Sequence, residues 1–147
     1  PRAEQTMNDA SLTVFYDGDD YVKDAKKRRF LANATFEHKY VNAGFDWLDA
    51  KDQKLPGAPE VHAEGWSAWA TPRTEFGLEG LVRYDDLKPD KDVDAHKKRL
   101  IAGVAYWFPV MKGVAATLLA DYERVTYDSA LGKPKEERWA LHTQFVF

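Results

Sequence analysis

The 147-residue sequence predicts an all-β fold, an antiparallel up-and-down transmembrane β-barrel with about eight strands. Three observations lead to this prediction: apolar and polar residues alternate along most of the chain, short and long connections alternate, and the chain ends on WALHTQFVF at 139–147. Alternation with a period of two indicates strands with one apolar and one polar face. A terminal strand of this kind that ends in Phe is typical of bacterial outer-membrane barrels, whereas soluble domains usually end in a frayed polar tail.

Composition narrows the possible classes of protein. The longest apolar runs are far too short for a transmembrane helix, which needs about 20 residues. The absence of cysteine excludes disulfides and thiolate metal sites. The net charge of −3 is too small to indicate a nucleic-acid partner. Mean hydropathy is negative, which is compatible with a membrane barrel because only alternate residues would meet lipid.

The alternation divides the chain into strands of near the length that a tilted strand needs to cross a bilayer. The predicted strands span 10–16, 28–37, 40–49, 61–70, 74–85, 98–108, 113–127 and 136–147. Short turns are predicted at 38–39, 71–73 and 109–112, and long polar loops at 18–27, 50–60, 86–97 and 128–135. Every second connection of an up-and-down barrel lies at the same end, so all short turns are expected at one end and all long loops at the other.

Aromatic residues mark both ends of the predicted apolar face. Those near the short-turn end are Phe36, Phe76, Tyr106, Phe108, Phe145 and Phe147, and those toward the long-loop end are Tyr16, Trp47, Tyr84, Tyr122 and Trp139. Mostly small aliphatic residues lie between them. Two aromatic belts around an aliphatic band are typical of a membrane barrel, and small residues fill a soluble core poorly. The apolar face is therefore expected to face lipid.

The opposite face carries ionisable residues at mid-strand. The candidate pore-lining residues are Arg29, Arg83, Arg99, Arg138, Asp46, Glu75, Glu79, Asp121, Glu123 and His142. A ladder of arginines would select anions such as phosphate, whereas a mixed set more often forms ion pairs that brace the wall. The acids at least match the arginines in number, so ion pairs are favoured. His142 is expected to pair with Asp121 or Glu123 on the neighbouring strand.

Other sites are not favoured by the sequence. The histidines lack metal-ligand spacing, and DGDD at 17–20 lacks a full calcium-loop pattern, so no metal or other cofactor is expected. No serine is placed beside His142, so the chain is not expected to be an enzyme. Two basic runs, KKRR at 26–29 and HKKR at 96–99, could contact lipopolysaccharide phosphates, but a solvated strand entry is the favoured interpretation.

Five segments, taken in order and spacing, resemble the C-terminal part of bacterial porins. They are VNAGFDWLDA at 41–50, WATPR at 69–73, LVRYDDLKP at 81–89, GVAYWFP at 103–109 and LADYE at 119–123. The group that they resemble most is the phosphate-selective porin family of the O and P type, from about residue 11 to the last residue. The resemblance implies a homotrimeric channel for passive diffusion of small hydrophilic solutes or ions, including anions such as phosphate. It also implies a barrel of about sixteen or more strands, of which residues 1–147 would form the C-terminal half, unless they form a single barrel domain of their own.

These inferences imply an integral protein of the bacterial outer membrane, with its C-terminus on the periplasmic side. Its expected partners are outer-membrane lipid, lipopolysaccharide, and the barrel assembly machinery, which would recognise the C-terminal strand. The first residues, PRAEQT, have neither an apolar core nor an initiator Met, so the chain is expected to be a processed mature chain or a piece of a longer one. Two alternatives stay open: a small non-conducting outer-membrane barrel acting as an anchor or adhesion module, and a soluble lipocalin-like ligand-binding barrel.

Overall fold

A computed structural model of the chain describes residues 8–22, 24–111 and 114–146. Its strands are β1 (Asp9–Val22), β2 (Ala25–His38), β3 (Val41–Gln53), β4 (Glu60–Pro72), β5 (Leu78–Lys88), β6 (Lys97–Met111), β7 (Val114–Tyr127) and β8 (Glu136–Val146). They form one antiparallel sheet of 8 strands in the order in which they occur along the chain. The all-β, up-and-down prediction is confirmed. Among the described residues β1 pairs only with β2 and β8 only with β7, so the sheet is open rather than closed.

The register gives the whole sheet one polar and one apolar face, because directly paired residues on neighbouring strands share a face. One row of paired residues contains Asn33, Asp46, Ser67, Asp85 and Arg99. The adjacent row on the opposite face contains Ala34, Phe45, Ala68, Tyr84 and Leu100. The sequence alternation is thus kept in phase from strand to strand.

The sheet is curled, with its polar face on the inside. A hollow of about 210 Å³ on the polar face is lined by five consecutive strands, from Thr71 on β4 to His142 on β8. A flat sheet could not bring side chains from five strands around one hollow of this size, because neighbouring strands lie about 4.8 Å apart. Ser67, Thr117 and Asp121 on this face are 7%, 7% and 8% exposed, although the described residues form a single layer. We call the polar side the concave face and the apolar side the convex face.

The long loop predicted at 18–27 is wrong. β1 continues to Val22, and Val22 pairs with Ala25 at the start of β2. Asp17 lies opposite Arg29, so charges of opposite sign support the pairing where the sequence suggested a polar loop. Asp24 in the connection has φ 64°, a left-handed conformation that Asp tolerates better than most residues.

The predicted start of the fifth strand at residue 74 is also wrong. β4 continues through Pro72, β5 begins only at Leu78, and Glu75 and Phe76 lie in the connection between them. The Thr74 hydroxyl accepts a hydrogen bond from Leu78 N at 3.0 Å, which closes this connection. Gly77 within it has φ 95°, a conformation that glycine adopts without strain.

The remaining boundaries differ by a few residues. β6 continues to Met111 through a register irregularity after Pro109, so the turn predicted at 109–112 is strand up to that point. The long connections are 54–59, 89–96 and 128–135, the last as predicted, and the last contains a short 3₁₀ turn, Ser129–Leu131. Lys112, Gly113 and Phe147 lie outside the described residues. Within the part of the chain that the structure describes, no helix is long and apolar enough to cross a membrane.

Candidate functional site

A chain of ion pairs crosses the concave face from β5 to β8. Arg83 Nε donates to Asp85 Oδ1 at 2.8 Å, and Arg99 Nε donates to Asp85 Oδ2 at 2.5 Å. Arg99 Nη1 lies 3.8 Å from Glu123 Oε1. Glu123 Oε2 also accepts a hydrogen bond from Arg138 Nη2 at 2.5 Å. These five side chains are named the central ion-pair chain.

The register explains why these residues meet. Arg83 and Asp85 are two residues apart on β5 and therefore share a face. Asp85 lies directly opposite Arg99, and Glu123 directly opposite Arg138. The side chains of Asp85 and Glu123 are only 16% and 15% exposed, so each carboxylate needs the charged partners that the neighbouring strands supply. The ion pairs expected of a mixed set are therefore present.

The other candidate residues on the strands also lie on the concave face and are hydrogen-bonded. Arg29 Nη2 donates to Asp52 Oδ2 at 2.9 Å. Asp46 Oδ1 accepts from the Asn33 amide at 2.5 Å, and the Glu79 carboxylate accepts from the Trp107 indole at 2.9 Å. In these contacts Asp52 is paired with a cation, whereas the donors to Asp46 and Glu79 are uncharged.

His142 Nε2 lies 2.7 Å from Asp121 Oδ2. Of the two partners that the sequence offered, the structure selects Asp121. Asp121 is buried on β7, whereas the His142 side chain on the edge strand β8 is 58% exposed. The pair therefore joins the outermost strand of the sheet to its only described neighbour.

Glu75 is the one candidate that lies away from the others. In the β4–β5 connection, its Oε1 lies 2.6 Å from Lys39 Nζ and 3.2 Å from the Tyr40 hydroxyl. The hydrogen bond from Lys39 lowers the pKa of Glu75 below its usual value, and the same bond raises the pKa of Lys39. This pair ties the β2–β3 turn to the β4–β5 connection at the short-turn end of the sheet.

Acidic side chains outnumber basic ones on the concave face. The acids that the register places there are Asp9, Asp17, Asp19, Glu37, Asp46, Asp52, Glu79, Asp85, Asp121, Glu123 and Glu136. The bases are Lys27, Arg29, Arg83, Lys97, Arg99 and Arg138, with Arg73 added by its isolated bridge to Glu79. The face as described therefore carries a negative balance.

The convex face carries the predicted aromatic residues that lie on strands. These are Phe36, Tyr106, Phe108 and Phe145 of the one belt and Tyr16, Trp47, Tyr84, Tyr122 and Trp139 of the other. Phe76 lies in a connection instead, and Phe147 lies outside the described residues. The aliphatic residues between the belts are exposed as well, with Leu12 at 74% and Leu141 at 68%. The apolar face is thus open across the sheet from β1 to β8.

Several residues that make contacts on the two faces were not among the candidate residues predicted from the sequence. On the convex face, the Phe45 and Trp66 rings stack with centroids 6.2 Å apart, and Trp66 continues to Tyr84 at 5.5 Å. On the concave face, Asp85 is the carboxylate that joins two arginines. Its position two residues after Arg83 was the available signal, because that spacing places both side chains on one face.

The two basic runs do not form continuous patches. Alternation places Arg29 and Arg99 on the concave face, where they bind carboxylates, and Arg28 and Lys98 on the convex face. In the loop 89–96, Lys91 Nζ lies 2.6 Å from Glu64 Oε2 on the convex face, and this contact raises the pKa of Lys91. The long-loop end of the convex face is consequently a charged margin beside an apolar band.

Within residues 8–22, 24–111 and 114–146, no group of three or more His, Cys, Asp or Glu side chains is arranged to hold a metal ion. Comparison with family models, curated proteins and solved structures found no match to this chain.

Proposed function

We propose that this sheet forms part or all of the wall of an outer-membrane porin, a water-filled channel for passive diffusion of small hydrophilic solutes or ions. The observation that carries the proposal is the distribution of polarity on the curled sheet. Exposed apolar side chains cover the convex face, while hydrogen-bonded charges occupy the concave face. A membrane barrel needs lipid-facing apolar residues outside and polar residues around water inside.

The same distribution argues against the soluble alternative. A lipocalin-like barrel would enclose its apolar face and expose its polar one. Here the buried side chains of Ser67, Thr117 and Asp121 lie on the concave face, and large hydrophobic residues such as Leu12 are exposed on the convex face. Exposing apolar surface to water costs about 25 cal/mol per Å² of free energy. A convex face with this many exposed hydrophobic side chains is therefore expected to lie against an apolar environment.

The open sheet is relevant to the choice between a wide porin barrel and a small non-conducting barrel. A small non-conducting barrel requires β1 and β8 to pair with each other, so that side chains fill the interior. In the described residues the two edge strands each have one partner. This arrangement favours a wider barrel completed by further strands, in keeping with the porin resemblance. The bacterial outer membrane, the periplasmic C-terminus and the homotrimer belong to the same proposal and rest on that resemblance.

Two partner surfaces follow from the proposal. Lipid would contact the convex face, and lipopolysaccharide phosphates would meet the basic residues at its long-loop margin, such as Arg28 and Lys98. The barrel assembly machinery would engage β8, whose far edge has no strand beside it in the described sheet. The proposal includes no catalytic activity: His142 lies on β8, whereas Ser11 lies on β1, Ser67 on β4 and Ser129 in the loop before β8.

Single-channel recording tests the conducting function. The purified full-length protein, with every strand of its barrel present, should produce stepwise current increases of uniform size when it is refolded in detergent and added to planar bilayers. Refolding should be verified by its β-sheet circular dichroism. A folded, inserted protein that leaves the bilayer non-conducting would favour the anchor or adhesion module.

Tryptophan quenching tests which face meets lipid. Two single-tryptophan variants would keep only Trp139, which is 79% exposed on the convex face, or only Trp107 on the concave face. In vesicles of brominated lipid, Trp139 emission should be quenched and Trp107 emission should not. Equal quenching of the two, or extraction without detergent as a monodisperse monomer, would contradict the membrane assignment.

A further inference from the structure

The arginines of the central ion-pair chain are all committed to carboxylates. Arg83 and Arg99 share Asp85, and Arg138 binds Glu123. A guanidinium held in this way offers a passing anion little uncompensated charge, because its field is cancelled within a few ångströms by the paired carboxylate. The residues that would form an anion-selective ladder are therefore bound to acids.

Two carboxylates at mid-strand are differently placed. Asp46 is held by the Asn33 amide at 2.5 Å, a donor without charge. Asp121 is held by His142, which carries a charge only when protonated. Neither of these contacts is with a fixed cation. Both aspartates lie on the concave face, Asp46 between Asn33 and Ser67 and Asp121 between Gly103 and Ala140 in the register.

We infer that the channel lined by this face favours small cations over anions, an inference that rests on the proposed function. The excess of acids on the concave face acts in the same direction as Asp46 and Asp121. Carboxylates along an aqueous path raise the local concentration of cations and lower that of anions. This preference is opposite to the anion preference that the porin resemblance implies.

Reversal potentials in a KCl gradient test the inference with the purified full chain in neutral-lipid bilayers. The expected potential is positive on the dilute side, because K⁺ would cross more readily than Cl⁻. The double variant Asp46→Asn, Asp121→Asn should lower the K⁺/Cl⁻ permeability ratio by about twofold or more. Arg138→Gln should raise the ratio, because it removes a positive charge from the same face. Glu60→Gln removes a charge from the convex face and should leave the ratio unchanged.

The outcomes separate the two proposals. Folded protein that forms no channels would overturn the proposed function and the cation preference with it. Channels with a potential of the opposite sign would overturn the cation preference alone. The cation preference alone would also be overturned if the double aspartate variant, shown to be folded by circular dichroism, kept the original permeability ratio. Opposite shifts in the aspartate and arginine variants would support the inference even if one of them changed the channel conductance.

Discussion

Arg99 Nε lies 2.5 Å from Asp85 Oδ2, directly across the pairing of β5 and β6 on the concave face. Asp85 accepts a second guanidinium, that of Arg83, while Arg99 also approaches Glu123. One carboxylate thus joins two arginines, and one arginine joins two carboxylates. The arrangement makes the four residues unequal in their expected contribution to stability.

Asp85→Asn should destabilise the fold more than Arg99→Gln. The aspartate change leaves two half-buried guanidiniums without their shared carboxylate, with an expected cost of about 2–4 kcal/mol. In Arg99→Gln, Asp85 keeps Arg83 and Glu123 keeps Arg138, so the expected cost is about 1–2 kcal/mol. Urea unfolding in detergent micelles measures both. Arg28→Gln, on the exposed convex side, is the control and should change the unfolding free energy by less than about 0.5 kcal/mol. The reverse order of the first two costs would contradict the shared-carboxylate interpretation.

Leu118 and Leu119 are adjacent leucines on opposite faces and offer a matched pair for the membrane proposal. Leu118, 44% exposed on the convex face, would meet lipid, so Leu118→Arg should cost about 2–4 kcal/mol in a bilayer. Leu119→Arg would place the same charge on the concave face toward water and should be tolerated better. Folding free energies in lipid vesicles measure the difference. If Leu118→Arg proves as mild as Leu119→Arg, the convex face does not lie in a hydrocarbon layer.

The Lys39–Glu75 pair should contribute to stability in a defined pH range. Lys39 lowers the pKa of Glu75 from its usual 4.5, so the contribution is full above that pH and is lost as the pH falls through the lowered pKa. The pKa of Lys39 is raised from 10.5, so at the alkaline end the contribution is lost only as the pH rises through the raised value. A carboxyl-carbon NMR titration of Glu75 measures the acid limb.

Lys39→Gln should move the Glu75 titration midpoint upward, toward 4.5. Lys54→Gln, in the loop at the opposite end of the sheet, should leave that midpoint in place. An unchanged midpoint in Lys39→Gln would show that Lys39 is not the cause of the lowered pKa.

Gly44 provides the space for the indole of Trp69 on the neighbouring strand. A Cβ at Gly44 would lie 2.5–2.6 Å from three indole atoms, and the two residues are paired across β3 and β4. Gly44→Ala should therefore displace the ring and cost about 1–3 kcal/mol. Introduced into a Trp69→Leu background, the same change should cost less, because the shorter side chain clears the new methyl group. Unfolding midpoints of the four proteins in this double-mutant cycle give the coupling.

The sequence alone was sufficient to predict the number of strands, their order and the composition of the two faces, but not the extent of every strand. Alternation is a local property, so residues such as Leu118 and Leu119 could be assigned to opposite faces without knowledge of their neighbours. The pairing of His142 with a β7 acid was also predictable, because consecutive strands in an up-and-down sheet are adjacent. Charge near a predicted loop was misleading at Asp17, where pairing with Arg29 extends the strand.

The tertiary structure shows which face lies inside the curl, and it alone determined which charged side chains pair across strands and where Glu75 lies. A periodicity of two is the same for a face that points inward and a face that points outward. The aromatic belts predicted that the polar face lies inside, and the curl of the sheet shows it there. Register selected Asp121 rather than Glu123 for His142 and made Asp85 the shared partner of Arg83 and Arg99. The hydrogen bonds of Thr74 and the left-handed φ of Gly77 placed Glu75 in a connection. Each of these features arises from contacts between strands, which the alternation within one strand does not specify.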